Sequence, residues 1–175
     1  MAEILQEKWM RGVAITTTIL AVLTAIAASR SGFCVAKNQV LTALEGSKWA
    51  YYQAKSLKQN LLETQKNAFE VNILGTTSPE EKALLKQNLI KYESEIARYE
   101  KEKNDIKKDA ETVGKDNVEI SKKGNAFSMS VVFFQIGIMM SSVAALLKRK
   151  ELWIVGLISG CVAIVFLANG LFLFF

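Results

Sequence analysis

Three long apolar stretches that contain no charged residue constrain the fold of this chain more than any other feature. They cover residues 12–29, 126–147 and 152–175, while charged residues are dense in the segment between the first two. A helix of about 20 apolar residues, rising about 1.5 Å per residue, spans the roughly 30 Å hydrocarbon core of a bilayer. A soluble domain would interleave its charged and apolar residues. The sequence therefore predicts an all-α integral membrane protein with three transmembrane helices in contact with lipid.

The N-terminal region allows alternative interpretations. Residues 1–11 mix apolar and polar side chains, which is typical of an amphipathic helix lying at the membrane interface. A frayed extension is the other interpretation. The first apolar stretch could also belong to a secretory signal peptide. Because Glu3 and Glu7 offset the charges of Lys8 and Arg11, the preceding segment lacks the positive charge of a signal peptide. We therefore interpret the first stretch as a retained membrane anchor.

The short segment 148–151, Lys-Arg-Lys-Glu, predicts a tight basic loop between the second and third spans. Short loops rich in lysine and arginine remain on the cytoplasmic side of a membrane. This bias predicts a cytoplasmic N-terminus, with segment 30–125 and the C-terminus on the opposite side. Trp9 and Trp153 then fall at one membrane interface, where tryptophan is enriched.

Segment 30–125 is predicted to form a long antiparallel helical hairpin with its turn at residues 75–79. Gly75 suits the end of a helix, where a left-handed conformation is common. Ser78 suits an N-cap, Pro79 the first helical position and Glu81 the reciprocal position of a capping box. The sequence thus specifies where one helix ends and the next begins. Gly114 and its polar neighbours favour a bend or break before the second span.

Apolar residues at four–three spacing predict that the two arms of the hairpin pack as a coiled coil. In the second arm the predicted seam is Leu85, Leu89, Tyr92, Ile96, Tyr99, Lys103, Ile106, Ala110 and Val113. In the first arm it is Ala43, Ser47, Ala50, Ala54, Leu57, Leu61, Thr64, Ala68 and Val71. In this arrangement Leu61 lies near Tyr92, and Leu57 lies near Ile96.

After that seam is assigned, the first arm retains a second apolar stripe that includes Leu62 and Phe69. A two-helix hairpin cannot bury two stripes of one helix by itself. Either other copies of the chain or a different membrane protein would cover the second stripe. The expected partner is a further copy of the same chain.

Small and polar residues inside the spans are candidates for helix packing. Gly156 and Gly160 form a Gly-xxx-Gly step in the third span, and Gly137 and Ser141 form a similar step in the second. Small residues let membrane helices approach closely. The amides of Gln135 and Asn169 lie at similar predicted depths, and a hydrogen bond between them is one hypothesis; two isolated amides are the other. These residues are candidate contacts within or between copies.

The residue content favours a function other than catalysis. Histidine is absent, the spans are free of charge, and the carboxylates lie in the charged segment, near the N-terminus or in the loop 148–151. No phosphate loop, nucleophile elbow or metal-ligand spacing occurs. We therefore predict neither an enzyme nor a cofactor or metal site. Basic and acidic residues alternate, which argues against nucleic-acid binding, while Cys34 and Cys161 are interpreted as small apolar fillers.

Two segments of the hairpin resemble a known family. Residues 48–56, Lys-Trp-Ala-Tyr-Tyr-Gln-Ala-Lys-Ser, and residues 91–100, Lys-Tyr-Glu-Ser-Glu-Ile-Ala-Arg-Tyr-Glu, are similar to a bacterial membrane family known as domain of unknown function four-three-three-seven. The layout of one span, a helical middle and two further spans is also similar. The resemblance implies a bacterial membrane protein and no particular activity. With the charge bias, it places the chain in an inner membrane with the hairpin in the periplasm.

These observations leave three functional hypotheses. The first is a non-enzymatic, homo-oligomeric structural or scaffold protein that assembles through its hairpin and spans. The second is a channel or pore formed when several copies surround an axis. The third is an accessory subunit of a complex with another membrane protein. A polar axis would favour the pore, a closed apolar centre would favour the scaffold, and copurification with an unrelated subunit would favour the accessory role.

Overall fold

Within residues 2–75 and 77–174, the computed structural model has three α-helices. They are α1 (Ala2–Gly75), α2 (Pro79–Leu147) and α3 (Lys150–Phe172). The structure describes residues 2–75 and 77–174, and its side chains are described from Trp9 onward. Thr76, inside the predicted turn, lies outside the described residues, as do the side chains of the first eight residues of the predicted interfacial segment.

Each helix contains a stretch that is long and apolar enough to cross a membrane. The all-helical fold with three such helices agrees with the sequence prediction. The third helix is a single apolar element, whereas α1 and α2 each contain a charged portion as well. Contacts divide the chain into two compact units, 1–40 with 117–175 and 41–116. We call them the apolar unit and the charged unit.

The helix boundaries follow from local backbone chemistry. Helix α2 begins at Pro79, where the missing N–H costs no helical hydrogen bond, and the N–H of Lys82 donates to the carbonyl of Ser78 at 3.1 Å. After α2, Lys148 adopts a positive φ of 52°. The N–H of Arg149 then donates to the carbonyl of Ala144 at 3.1 Å, so a tight turn connects α2 to α3.

The sequence predicts a bend or a break near Gly114. The break is wrong, because α2 is helical from Pro79 to Leu147. A Cβ added at Gly114 would lie 2.9 Å from Oε1 of Glu45 on α1. Glycine at this position therefore accommodates the close approach of a side chain from the other helix. The same residue that weakens the helix locally serves interhelical packing.

In the apolar unit all three helices share one core. Leu20 and Ala27 of α1 pack with Phe134 of α2 and Ala163 of α3, and all four are buried. The hydroxyl of Ser130 donates to the carbonyl of Ala163 at 2.9 Å. Polar side chains thus bond to the backbone of a neighbouring helix, as expected where water is scarce.

In the charged unit, contacts join α1 and α2 in opposite chain order. Lys48 pairs with Asp109 at 2.9 Å, and Lys66 pairs with Glu93 at 3.0 Å. The further a residue lies along α1, the earlier its partner lies along α2. Lys55, between these two lysines, pairs with Glu102.

Candidate functional site

The α2 side of the helix contact in the charged unit contains the residues selected from the sequence. Leu85, Leu89, Tyr92, Ile96 and Tyr99 are all half-buried. Their four–three spacing keeps them on a single face of the helix. The contacts between α2 and α1 lie on this face of α2.

The predicted α1 half of the seam is wrong. Leu57 is 71% exposed and Leu61 is 58% exposed, so these side chains do not pack against Tyr92 or Ile96. Another α1 face, displaced around the helix, contacts α2 instead. It is half-buried or buried at Leu41, Glu45, Lys48, Tyr52, Lys55, Gln59, Leu62, Lys66, Phe69 and Ile73.

Leu62 and Phe69 therefore do not belong to a second, outward-facing stripe. The ring of Phe69 stacks on Tyr92 with centroids 5.3 Å apart, and Leu62 is half-buried on the same face. Aromatic stacking of this kind adds about 0.5–1.5 kcal/mol beyond the burial of area. The prediction that these two residues form a surface for other copies is corrected accordingly.

The middle of this helix contact is polar. Gln59 is only 9% exposed, accepts a hydrogen bond from Nζ of Lys103 at 3.0 Å, and donates to Glu63 at 2.9 Å. Nζ of Lys55 lies 4.9 Å from the ring centroid of Tyr99, in cation–π geometry. Hydrogen bonds and charge pairs with one allowed register specify how α1 and α2 align.

Three members of these ion pairs, Lys55, Lys66 and Glu102, have shifted pKa values. The hydrogen bond from Lys55 holds the pKa of Glu102 below its usual value of 4.5. The same hydrogen bond raises the pKa of Lys55 above 10.5. Similarly, the hydrogen bond to Glu93 raises the pKa of Lys66. Each charged form is thus favoured by its partner across the helix contact.

Acid is expected to remove the contribution of the Lys55–Glu102 pair. A glutamate whose pKa is lowered by folding stabilises the fold at every pH above its pKa in the unfolded chain. This stability is lost as the pH falls through the lowered pKa of the folded protein. Glu102→Gln should therefore lower the unfolding temperature near neutral pH, and the difference from the parent should shrink in acid, at a pH well below 4.5. Circular dichroism at both pH values measures this effect. Glu100→Gln, at an exposed position, is the control; an equal and pH-independent loss in both variants would contradict the assignment.

The small residues of the spans lie at a contact between α2 and α3. A Cβ at Gly137 would come within 2.9 Å of the carbonyl oxygen of Gly156, and one at Gly156 within 2.8 Å of the hydroxyl of Ser141. A Cβ at Gly160 would lie 2.9 Å from the end of the Leu20 side chain. These residues therefore make contacts inside one chain; a role between copies stays a prediction.

The hypothesis that Gln135 and Asn169 bond to each other within one chain is wrong. The hydroxyl of Ser159 donates to the carbonyl of Phe133 at 2.7 Å, which fixes the register of α2 against α3. Asn169 lies ten residues beyond Ser159, or about 15 Å along the axis. It is buried and lines a cavity of about 310 Å³ with Lys122 and Asn125, whereas Gln135 is exposed.

The threonines of the first span bond to their own helix. The hydroxyls of Thr16, Thr17 and Thr18 donate to α1 carbonyls one turn earlier, at 2.8–3.0 Å. The hydroxyl of Thr16 also accepts a hydrogen bond from the indole N–H of Trp153 at 3.1 Å. The Thr16 hydroxyl thus links α1 to α3. Within the described part of the chain, no group of three or more potential metal ligands occurs.

Residues 9–173 match the family described as domain of unknown function (DUF4337). The chain belongs to this family. The match covers all three apolar helices and the whole charged unit of the DUF4337 chain, in agreement with the resemblance seen in residues 48–56 and 91–100. No curated protein and no solved structure matches the chain.

Proposed function

We propose that this protein is a non-enzymatic structural membrane protein whose copies assemble through their helices. In this proposal the apolar stretches of α1, α2 and α3 cross the bilayer. The charged unit forms an antiparallel coiled-coil hairpin outside it. Copies of the chain associate into a homo-oligomer that serves as a scaffold.

The observation that carries this proposal is the exposure of large apolar side chains in the charged unit. Leu57, Leu61 and Val71 of α1 are 71%, 58% and 67% exposed, and Leu44 and Tyr51 are exposed as well. Lipid can cover exposed apolar side chains of the spans, but the charged unit has too few apolar residues to lie in lipid. Exposed apolar side chains that cluster on one protein surface favour an interaction site.

A scaffold fits these contacts better than a pore or an accessory subunit. In the apolar unit the hydroxyls of Thr16, Thr17 and Thr18 bond to the backbone, and the three apolar stretches contain no charged residue. Proton relays and coupled transport pathways usually use ionisable groups inside the membrane. An accessory role would require a different protein on the exposed surface of α1.

The proposed location is a bacterial inner membrane. Lys148, Arg149 and Lys150, in the turn between α2 and α3, favour a cytoplasmic position for that turn and for the N-terminus. The charged unit would then lie in the periplasm. The family resemblance supports a bacterial source.

Native mass spectrometry of the full chain in nanodiscs tests the proposed assembly. The expected result is one defined homo-oligomer, because identical copies share the exposed α1 surface. A detergent series controls for association caused by a single detergent. A monomer in every condition, or a stable complex with an unrelated chain, would contradict the scaffold proposal.

A further inference from the structure

Charged residues are distributed unevenly around α1 in the charged unit. Between residues 41 and 75, every charged residue except Lys58 either lies on the side of α1 that faces α2 or bonds to a residue on that side. These residues are Glu45, Lys48, Lys55, Glu63, Lys66 and Glu70. The opposite side of α1 is exposed and carries only Lys58. In an isolated two-helix unit in water, the charged residues would instead lie on the exposed side of each helix, and apolar residues would face the other helix.

The uncharged side of α1 has the pattern of a second helix-packing surface. Its central residues are small or apolar, occur at four–three spacing and are all exposed; we call them the outer stripe: Ala43, Ser47, Ala50, Ala54, Leu57, Leu61, Thr64, Ala68 and Val71. The positions flanking the outer stripe carry mostly uncharged side chains, including the amides Gln53, Asn60, Gln65, Asn67 and Asn72. This spacing is the one that coiled-coil partners require.

The α2 helix presents the opposite chemistry on its outer side. Its exposed residues include many charges of both signs: Glu80, Glu81, Lys86, Lys91, Arg98, Glu100, Lys101, Lys107, Lys108 and Glu111. Such a surface remains solvated at little cost. Within the charged unit, α2 is therefore suited to the outside of an assembly, and α1 to its inside.

We propose that the outer stripe of α1 packs against the outer stripe of a second copy of this chain, in parallel and in register. This inference rests on the proposed function and specifies its surface. Copies inserted alike in one membrane extend their charged units to the same side, so α1 meets α1 in parallel. In such a pair each residue lies beside its own counterpart.

The flanking amides fit a copy of the same chain. In a parallel homotypic pair, charged flanking residues of one sign would face like charges and destabilise the pair. Gln53, Asn60 and Asn67 avoid this repulsion, because an amide both donates and accepts hydrogen bonds. A partner of a different sequence would not require this neutrality.

The size of the outer stripe is sufficient for two membrane-confined copies. From Ala43 to Val71 it extends about 43 Å, at about 1.5 Å per residue. With a helix about 10 Å wide, each copy contributes about 430 Å², somewhat less than half of the roughly 1,000 Å² that a specific interface buries in total. Insertion in one membrane also raises the effective concentration of the copies.

Disulfide cross-linking of the full chain in membranes tests the surface and its direction. In a background with Cys34→Ala and Cys161→Ala, Ala54→Cys introduces one thiol in the outer stripe. A parallel, in-register pair places the two thiols within bonding range, so oxidation should yield roughly tenfold more covalent dimer than Ala97→Cys gives. Ala97 is the matched control, an exposed alanine on α2.

A charge in the outer stripe provides a second readout. Ala54→Glu should weaken association roughly tenfold, because each copy would bring a like charge to the same position. Ala97→Glu should leave association unchanged. Both positions are exposed in a single chain, so neither variant should unfold the helices, and circular dichroism checks this.

The outcomes separate this inference from the proposed function. Strong cross-linking at Ala54 with weak cross-linking at Ala97 supports the parallel α1 pair. A defined homo-oligomer in which Ala54→Cys and Ala97→Cys cross-link equally, or in which Ala54→Glu has no effect, overturns the inference but leaves the scaffold proposal intact. A strictly monomeric chain overturns both.

Discussion

Gly156→Val is expected to destabilise the apolar unit by about 2–3 kcal/mol, the usual cost of overpacking a tight core. A Cβ at Gly156 would lie 2.9 Å from the carbonyl oxygen of Gly137 and 3.3 Å from the backbone N of Ser141. Because these are backbone atoms, no rotation of a side chain relieves the clash, and α2 must move away from α3. Chemical unfolding of the full chain in detergent, followed by circular dichroism, measures the loss.

Gly32→Val is the matched control for this substitution. Gly32 is also in a helix of the apolar unit, but nothing lies within 4 Å of a Cβ added there. Replacing a helical glycine in open space should be neutral or slightly stabilising, by a few tenths of a kcal/mol. Gly160→Ala should have an intermediate effect, because the atom it approaches is the movable end of Leu20. Equal losses at Gly32 and Gly156 would show that close α2–α3 contact is not the cause.

The sequence was sufficient to predict the helices of this chain. Charge-free stretches identified three helices apolar enough to cross a membrane, and Pro79 marked the start of α2. These features depend on local composition and on backbone chemistry, which a sequence displays directly. By contrast, the close approach of Glu45 to Gly114 involves a residue distant in the chain, which local composition does not reveal.

The face of α1 that contacts α2 could not be chosen by hydrophobicity alone. The true contact face carries Lys48, Lys55 and Lys66, while the exposed outer stripe contains no charge. A search for apolar spacing therefore selects the wrong side of the helix. Opposite charges at a constant register, such as Lys48 with Asp109 and Lys55 with Glu102, were the signal that could have corrected the choice.

The positions of the polar residues in the spans depend on the register between α2 and α3. Similar depth in two spans suggested that Gln135 and Asn169 were neighbours. The actual register is set by the tight turn at Lys148 and by the contact of Gly137 with Gly156. When residues are counted from the ends of apolar stretches, the estimated depth of a side chain is wrong by several positions. An interhelical hydrogen bond tolerates a much smaller error.

Phe134→Ala is expected to cost about 2–4 kcal/mol of unfolding free energy, because it leaves a cavity at the centre of the apolar unit. Phe134 has no exposed surface and packs with Leu20, Ala27 and Ala163 of the other two helices. A fully buried side chain of this size makes many van der Waals contacts with its neighbours. The lost van der Waals contacts should therefore account for most of the cost. Chemical unfolding of the full chain measures it.

Met139→Ala tests whether this cost arises from burial. Met139 lies on the same helix and also loses a large apolar side chain, but it is 62% exposed. Its truncation should change the unfolding free energy by less than about 1 kcal/mol, because few packing contacts are lost. Similar costs at both positions would show that burial in this core is not the cause of the loss. A large cost at Phe134 alone would show that direct packing of α1, α2 and α3 stabilises the apolar unit.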